Sequence, residues 1–310
     1  MAARVLSGAV TEPTTRRDGV AAGVSAYLLW GLFPLFWPLL KPAGAFEILA
    51  QRIVWSFLFV LLLLVLLRSS WQWVALVRDR HVLPRLLAMS VLIAINWVTY
   101  ILAVNTGHVV EASVGYFINP LVNVAFGVLL FREPLPTLGR VGVLLAFVGV
   151  AVLAWGSLAT LWISLTLAFS FGLYGVAKKR AHLPPLPGLL VESTVLLIPS
   201  LAFVVYLGVT GGATFGRSLP YDALMALSGP ATVLPLWLFA LAAARLPLGV
   251  VGVLQYLAPT IQFILGITLF GQQVTPAYWA GLALMWLGSG VYLTAALRAP
   301  RGAGIVAEQS

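Results

Sequence analysis

Ten long apolar runs follow one another along the 310 residues of this chain, and no other feature constrains its fold as strongly. A bilayer span needs about 20 predominantly apolar residues, so each run is long enough to be a transmembrane helix. Charged residues make up 9% of the chain, whereas a soluble domain carries about 25%. We therefore predict an all-α polytopic membrane protein with ten transmembrane helices. The runs cover approximately residues 19–40, 45–67, 85–104, 109–131, 138–155, 157–177, 189–208, 221–243, 248–270 and 277–297.

The distribution of the 18 Lys and Arg residues predicts the orientation of these spans. With the N-terminus placed inside, 15 of the 18 fall in cytoplasmic segments, Lys41 and Arg217 fall in outer loops, and Arg52 lies within a span. Cytoplasmic loops of membrane proteins carry such an excess of basic residues. We expect cytoplasmic tails at residues 1–18 and 298–310. The net charge of +9 is thus explained by topology, and we expect a lipid bilayer and no nucleic acid as partner.

The two halves of the chain resemble each other weakly. A shift of 139 residues superimposes proline, glycine and polar positions: Asn119-Pro120 on Ala258-Pro259, Asn123 on Gln262, and Gly149 on Gly288. The repeats then comprise spans 1–5 (residues 19–155) and spans 6–10 (residues 157–297). Because five is odd, the second repeat enters the membrane in the opposite orientation, as in secondary transporters with a site at the repeat interface. The alternative is that apolar sequences align easily.

Five stretches of the chain resemble the RarD-type permeases, which belong to the EamA branch of the drug/metabolite transporter superfamily. The resemblance implies ten helices in two inverted five-helix repeats, both termini in the cytoplasm and a bacterial inner-membrane location. It also implies a permease of the kind often named for chloramphenicol sensitivity or resistance, and related branches carry amino acids and other metabolites. The stretches are residues 26–31 (AYLLWG), 47–56 (EILAQRIVWS), 111–123 (EASVGYFINPLVN), 169–175 (FSFGLYG) and 255–260 (QYLAPT).

The fourth span carries the clearest polar stripe. Glu111, Gly115, Asn119 and Asn123 recur every four residues and therefore drift slowly around one helix face. Pro120 frees a backbone carbonyl beside them. The stripe indicates the polar wall of a substrate cavity. The alternative is that these amide side chains bond a neighbouring helix and touch no substrate.

The ninth span is expected to supply the facing wall of this cavity. Gln255 and Gln262 are seven residues apart and lie on one helix face, and Tyr256 offers an aromatic surface for an organic ligand. Core packing is the alternative for Tyr256. Further candidates for substrate binding are polar and aromatic residues of other spans: Trp30, Asn96, Trp97, Tyr100, Tyr116 and Tyr174.

Charged residues inside the spans are the remaining candidates. Arg52 lies about 10 Å inside the second span, at 1.5 Å per residue. It can hold an anionic group, pair with a carboxylate such as Glu111, or snorkel toward the outer interface. Glu111 and Glu47 are candidates for a proton-coupling carboxylate, since ionisable groups within membranes mark ion pathways. In one departure from the resembled family, Gly271-Gln272 stands where such permeases often carry Gly-Glu.

The chain contains no cysteine, and its three histidines show no metal-binding spacing. It also has no phosphate-binding loop signature, so we expect no metal, no cofactor and no enzymatic activity. The sequence predicts an alternating-access permease that exports small organic metabolites or drugs. The alternative is a membrane-embedded enzyme or a lipid-handling protein. The sequence does not choose between a monomer and a homodimer.

Overall fold

Helices account for every regular element in the part of the chain that the computed structural model describes. That part comprises residues 16–66, 83–131, 135, 137–156, 159–181, 185–246 and 254–298. The helices are α1 (Arg16–Gly31), α2 (Phe33–Phe36), a 3₁₀ helix (Trp37–Leu40), α3 (Ala45–Leu66), α4 (Leu83–Asn105), α5 (Val109–Phe131), α6 (Thr137–Gly156), α7 (Leu161–Ala181), α8 (Pro185–Thr210), α9 (Leu219–Ala226), α10 (Ser228–Arg245), α11 (Leu257–Thr268) and α12 (Pro276–Arg298). The prediction of an all-α fold is confirmed for the described residues.

Several of these helices are long and apolar enough to cross a bilayer. Within the described ranges, 5 helices meet this requirement, or up to 6 if a bent pair counts as one span. The 5 are Ala45–Leu66, Leu83–Asn105, Val109–Leu130, Leu190–Thr210 and Leu219–Phe239, and the bent pair is Arg17–Gly31 with Phe33–Leu40. The predicted number of ten crossings therefore stays a prediction, although a helix lies within each of the ten apolar runs.

One of the predicted spans is broken, and another contains a single turn residue. The first bends by 41° between α1 and α2. Pro34 lacks an N–H group and cannot donate to the carbonyl of Trp30, four residues earlier, so the helix loses a hydrogen bond at this point. In the eighth, only Leu227 separates α9 from α10, and the helical hydrogen bonds from Leu227 to Ala223 and from Ala231 to Leu227 continue through it, so Leu219–Phe239 is one span. The start of the predicted ninth span lies outside the described residues, as do residues 1–15 and 299–310 of the predicted tails.

Contacts between the helices link the first half of the chain to the second. α3 packs against α8 and α10, α4 against α7 and α8, and α5 against α7 and α11. α1 packs against α10 and α11, and α6 packs along α12. The most extensive contacts of α1, α3, α4, α5 and α6 are therefore with helices of the second half, and the two halves form one interleaved bundle.

Glycines bring α6 and α12 into close contact. A Cβ atom added to Gly142 would lie 2.7 Å from the carbonyl oxygen of Gly288, and one added to Gly149 would lie 2.6 Å from that of Gly281. Small residues at such positions let membrane helices approach until their backbones touch. The order of contacts runs in opposite directions along the two helices, so α6 and α12 are antiparallel.

Candidate functional site

Arg52 on α3 is buried at the contact between α3 and α10. Its side chain is 3% exposed, and its Nε donates a hydrogen bond of 2.7 Å to Oγ1 of Thr232 on α10. The Thr232 hydroxyl in turn donates to the carbonyl oxygen of Ser228 at 2.8 Å, which leaves its oxygen to accept from Arg52. Gly229 permits this contact, because a Cβ there would lie 2.5 Å from the carbonyl carbon of Trp55 on α3.

Three aromatic rings surround the Arg52 guanidinium. Its Cζ atom lies 4.0 Å from the ring centre of Trp97, 4.9 Å from that of Trp37 and 5.9 Å from that of Phe33. Such cation–π contacts contribute about 0.5–2 kcal/mol each. They help to offset the cost of about 2.5–3.5 kcal/mol for an arginine at the centre of a bilayer. We call these four residues and Thr232 the Arg52 cage.

The cage argues against two of the three alternatives considered for Arg52. Snorkelling toward the outer interface is wrong, because the side chain is buried among aromatic rings. A salt bridge between Arg52 and Glu111 is not formed, since Arg52 donates to Thr232 and the Glu111 carboxylate contacts Gln272. The remaining hypothesis is that Arg52 holds an anionic group.

Asn96 fixes α4 to the helices beside the cage. Its Nδ2 donates to the carbonyl oxygen of Leu167 and to Oγ of Ser170, both on α7 and both at 3.0 Å. Its Oδ1 accepts a hydrogen bond of 3.2 Å from the hydroxyl of Tyr116 on α5. Asn96 therefore joins three helices through one buried amide and orients the ring of Tyr116.

Tyr100 connects this amide network to the cage. The ring centre of Tyr100 lies 5.6 Å from that of Tyr116 and 6.4 Å from that of Phe33. The structure thus brings together five side chains that the sequence singled out as substrate-binding candidates: Arg52, Asn96, Trp97, Tyr100 and Tyr116.

Tyr174 lies further along the same aromatic series. Phe171 on α7 is 6.4 Å from Tyr116 and 5.9 Å from Tyr174, measured between ring centres. The Tyr174 hydroxyl donates a hydrogen bond of 2.8 Å to Oε2 of Glu192 on α8. Tyr174 is therefore connected to the cage through aromatic rings and ends at a buried carboxylate.

A hydrogen bond from α11 stabilises the first span at its bend. Nε2 of Gln262 donates a hydrogen bond of 2.9 Å to the carbonyl oxygen of Trp30, the group that Pro34 leaves without its helical donor. The Trp30 ring packs on Phe239 of α10 at 5.7 Å between ring centres. Trp30 and Gln262 thus hold the broken helix in place. Trp30 also packs against the core cluster that contains Phe33 and Trp37, although neither Trp30 nor Gln262 has a described contact with Arg52.

Three other candidates have no described contact with the Arg52 guanidinium. Tyr256 stacks on Phe117 at 6.1 Å between ring centres and with 23° between the ring planes, in a cluster of apolar side chains from α5, α11 and α12. Gln255 precedes it and is partly exposed. Asn119 on α5 is fully buried. The side chain of Asn123 lies outside the described residues.

The two proposed coupling carboxylates have different surroundings. Oε1 of Glu47, at the start of α3, accepts hydrogen bonds from the backbone N–H groups of Thr214 (2.7 Å) and Phe215 (3.2 Å). This contact ties α3 to the loop between α8 and α9. Glu111 lies in the first turn of α5, and its Oε2 is 3.4 Å from Nε2 of Gln272.

Gln272 uses both ends of its amide at the start of α5. Its Oε1 accepts from the backbone N–H of Val110 at 2.9 Å, and its Nε2 donates to the carbonyl oxygen of Gly107. The first N–H groups of a helix lack partners within the helix, so a side chain that accepts from them stabilises the helix start. A glutamate cannot make the donation to Gly107, which gives the departure from the resembled family a structural reason.

We expect the Gln272→Glu variant to lower the free energy of unfolding by about 1–3 kcal/mol, because it leaves a carbonyl without its donor. It also places a second carboxylate beside Glu111. Thermal unfolding of the purified protein in detergent measures the effect. Gln273→Glu is the matched control, since its exposed side chain makes no described hydrogen bond. Equal unfolding midpoints for the two variants would contradict this role of Gln272.

Three members of the cage were not anticipated from the sequence. Phe33 and Trp37 lie four residues apart, so a shared helix face was a usable signal for both. Thr232 carries no such signal, because a single threonine in an apolar helix commonly bonds the preceding turn. Phe33 also borders an apolar groove of about 200 Å³ between α1, α2 and α10, lined by Leu29, Leu32, Phe33, Phe36, Ala231, Leu234 and Pro235.

Comparisons with known proteins agree with this architecture. The model of the EamA-like transporter family matches residues 17–155. The protein RarD of Streptomyces exfoliatus is 47% identical over 292 residues, which cover 92% of this chain and 91% of that protein. An uncharacterized transporter of Pseudomonas aeruginosa is 42% identical, with 92% of this chain and 96% of that protein covered.

A solved crystal structure of another protein is similar in fold. It superimposes with a TM-score of 0.63 at 18% sequence identity and covers 92% of this chain and 100% of that chain. The apolar helices and the transporter matches together define a multi-pass membrane transporter with a small-molecule substrate. The chain belongs to the EamA-like transporter family, in its RarD-type branch.

Proposed function

We propose that this transporter is an alternating-access permease of small organic metabolites or drugs, built from ten spans in two inverted five-helix repeats. The observation that carries the proposal is the position of the Arg52 cage, where Arg52 of the first half bonds Thr232 of the second. Secondary transporters with inverted repeats place their sites at this kind of interface, because the two halves rock about it.

The pattern of helix contacts supports the repeat. Replace each helix by its counterpart in the other half, so that α1 becomes α7, α3 becomes α8, α4 becomes α10, α5 becomes α11 and α6 becomes α12. The pair α1–α10 then becomes α7–α4, α5–α7 becomes α11–α1, and α3–α10 becomes α8–α4. Each resulting pair also packs together. A bundle of unrelated helices has no reason to keep its contacts under this exchange.

The contact between α6 and α12 supports the inversion. The shift of 139 residues carries Gly142 to Gly281 and Gly149 to Gly288. If each glycine is replaced by its counterpart, the contact Gly142–Gly288 becomes Gly281–Gly149, which is the second observed contact. A two-fold axis between the two helices produces this exchange. Counterpart helices that are antiparallel belong to repeats of opposite orientation, with an axis in the membrane plane.

We propose that the substrate site consists of Arg52, Asn96, Trp97, Tyr100 and Tyr116, the candidates that share one cluster. Trp30, Gln262, Tyr256, Gln255, Asn119, Asn123 and Tyr174 stay predictions as lining residues. Both termini are cytoplasmic, as the Lys and Arg distribution indicates, and the protein resides in the bacterial inner membrane. Export direction and an effect on chloramphenicol sensitivity are further parts of the proposal, supported by the resemblance to RarD-type permeases.

Flux measurements in proteoliposomes test the transport proposal. We expect at least one compound of a panel of small organic molecules, chloramphenicol included, to cross protein-containing vesicles about tenfold faster than empty ones. If Glu111 couples protons, Glu111→Gln removes the dependence of that flux on a proton gradient. Equal flux of every compound in both kinds of vesicle would count against transport, and an unchanged gradient dependence would count against Glu111.

A further inference from the structure

The Arg52 cage contains more hydrogen-bond donors than acceptors. A guanidinium carries five N–H donors, and Arg52 uses one described hydrogen bond, from Nε to Thr232. Among the described residues, no carboxylate lies within salt-bridge distance of it, and Glu47, Glu111 and Glu192 have other partners. The cage therefore carries a positive charge that the described chain does not neutralise.

Two further donors in this cluster are buried without a partner. Nε1 of Trp37 and the hydroxyl of Tyr100 are shielded from solvent, and neither has a hydrogen-bond partner in the described structure. The two side chains are 0% and 3% exposed. Buried donors are nearly always satisfied in folded proteins, so two such donors in the same cluster as a buried guanidinium are available to an acceptor from outside the chain.

In the proposed repeat, the position that corresponds to Arg52 is apolar. For this pair of helices we use a shift of 145 residues, six more than the shift of 139 used for α6 and α12; it places Glu47 on Glu192 and Arg52 on Leu197. The equivalent helix α8 thus packs in the same bundle with an apolar residue at the corresponding position. A cation retained in one half of a repeat and surrounded by unpaired donors has the composition of a ligand site.

We propose that the Arg52 cage binds the carboxylate of an organic monoanion with a planar or aromatic body. The donors of Arg52, Trp37 and Tyr100 match a carboxylate, which accepts up to four hydrogen bonds and pairs with guanidinium in a planar geometry. The aromatic walls suit a flat apolar body and suit a small, strongly hydrated inorganic ion poorly. No cage member is acidic, so a cationic ligand has no counter-charge there. The inference rests on the proposed transport function, because it names the substrate class of the same site.

Calorimetric titration of the full chain in nanodiscs tests this assignment. The probes are benzoate, its neutral analogue benzamide, the cation benzylammonium, chloride and phosphate. We expect benzoate to bind at least about tenfold more tightly than any other probe, and Arg52→Gln to weaken benzoate binding by about 100-fold. Binding of chloride or phosphate as tight as that of benzoate would overturn the proposal, as would equal binding of benzamide.

Variants that delete one unpaired donor test the site without removing its charge. Tyr100→Phe and Trp37→Phe should each weaken benzoate binding by about three- to tenfold. The unfolding midpoint of Tyr100→Phe should stay equal to that of the unaltered protein or rise, since the deleted hydroxyl has no partner in the described chain. Trp37→Phe also removes buried ring volume and should lower the midpoint. The matched control is Tyr206→Phe, an exposed tyrosine 60% accessible on α8, which should change neither quantity. Lower midpoints with unchanged benzoate binding would show that both residues are structural and would contradict the proposal.

The outcomes separate this inference from the transport proposal. Benzoate binding that depends on Arg52 without any flux in proteoliposomes would refute transport and leave the anion site standing. Flux of neutral compounds that Arg52→Gln leaves unchanged, together with absent benzoate binding, would refute the anion site and leave transport standing.

Discussion

We expect the Gly288→Val variant to lose most of its folded stability. A Cβ at this position would lie 2.4 Å from the backbone nitrogen of Ala146 and 2.5 Å from the carbonyl oxygen of Gly142. Both neighbours are backbone atoms, so no side-chain rotation relieves the overlap, and α6 and α12 must separate along their contact. Overpacking of this kind costs about 1–3 kcal/mol or more, and we expect the upper end.

The matched control for this prediction lies two residues further along α12. Gly290 is exposed, and a Cβ added there meets nothing within 4 Å. Gly290→Val introduces the same side chain into the same helix and should leave the unfolding midpoint nearly unchanged. Thermal unfolding in detergent, followed by fluorescence or by size-exclusion chromatography after heating, compares the two. Equal losses would show that the contact between α6 and α12 is not close.

The Asn96→Leu variant has the second largest expected effect. Leucine is similar in size, but it removes the donations to Leu167 and Ser170 and the acceptor of the Tyr116 hydroxyl. Interhelical hydrogen bonds in membranes contribute about 0.6 kcal/mol on average and up to about 1.7. We expect a loss of about 2–3 kcal/mol in stability, and a loss of flux because Tyr116 is no longer held beside Tyr100.

Asn105 on the same helix provides the control for Asn96. Its Oδ1 is buried and has no described hydrogen-bond partner, so Asn105→Leu removes less bonding. Unfolding midpoints and flux in proteoliposomes should both fall further for Asn96→Leu. A smaller fall than for Asn105→Leu would mean that the amide network around Asn96 contributes little.

The apolar runs predicted the helices well because lipid requires every backbone group to bond within its own segment. Length and hydropathy were therefore enough to locate a helix in each run. The breaks were harder to predict. Pro34 marks the bend between α1 and α2, yet the partner of the freed Trp30 carbonyl is Gln262, which is 232 residues away. Sequence spacing carries no information on a contact of that range.

The sequence predicted part of the candidate site, and the part that it missed depends on contacts between helices far apart in the chain. Asn96 and Tyr100 share a face of α4, and the depth of Arg52 marked it as unusual among apolar residues. The association of Arg52 with Trp37 and Thr232 depends on how α3, α4 and α10 meet, and that depends on Gly229 against Trp55. Tyr256 was predicted to line the substrate site, whereas its aromatic ring packs in an apolar cluster beside Phe117.

The opposite orientation of the two halves is the central claim, and the absence of cysteine makes it directly measurable. Thr137 and Pro276 are the first residues of α6 and α12, they correspond through the shift of 139 residues, and both are exposed. Thr137→Cys and Pro276→Cys variants in intact cells are treated with a membrane-impermeant maleimide. The account predicts labelling of the Pro276→Cys variant from outside and of the Thr137→Cys variant only after the cells are permeabilised. Labelling of both variants from the same side would contradict it.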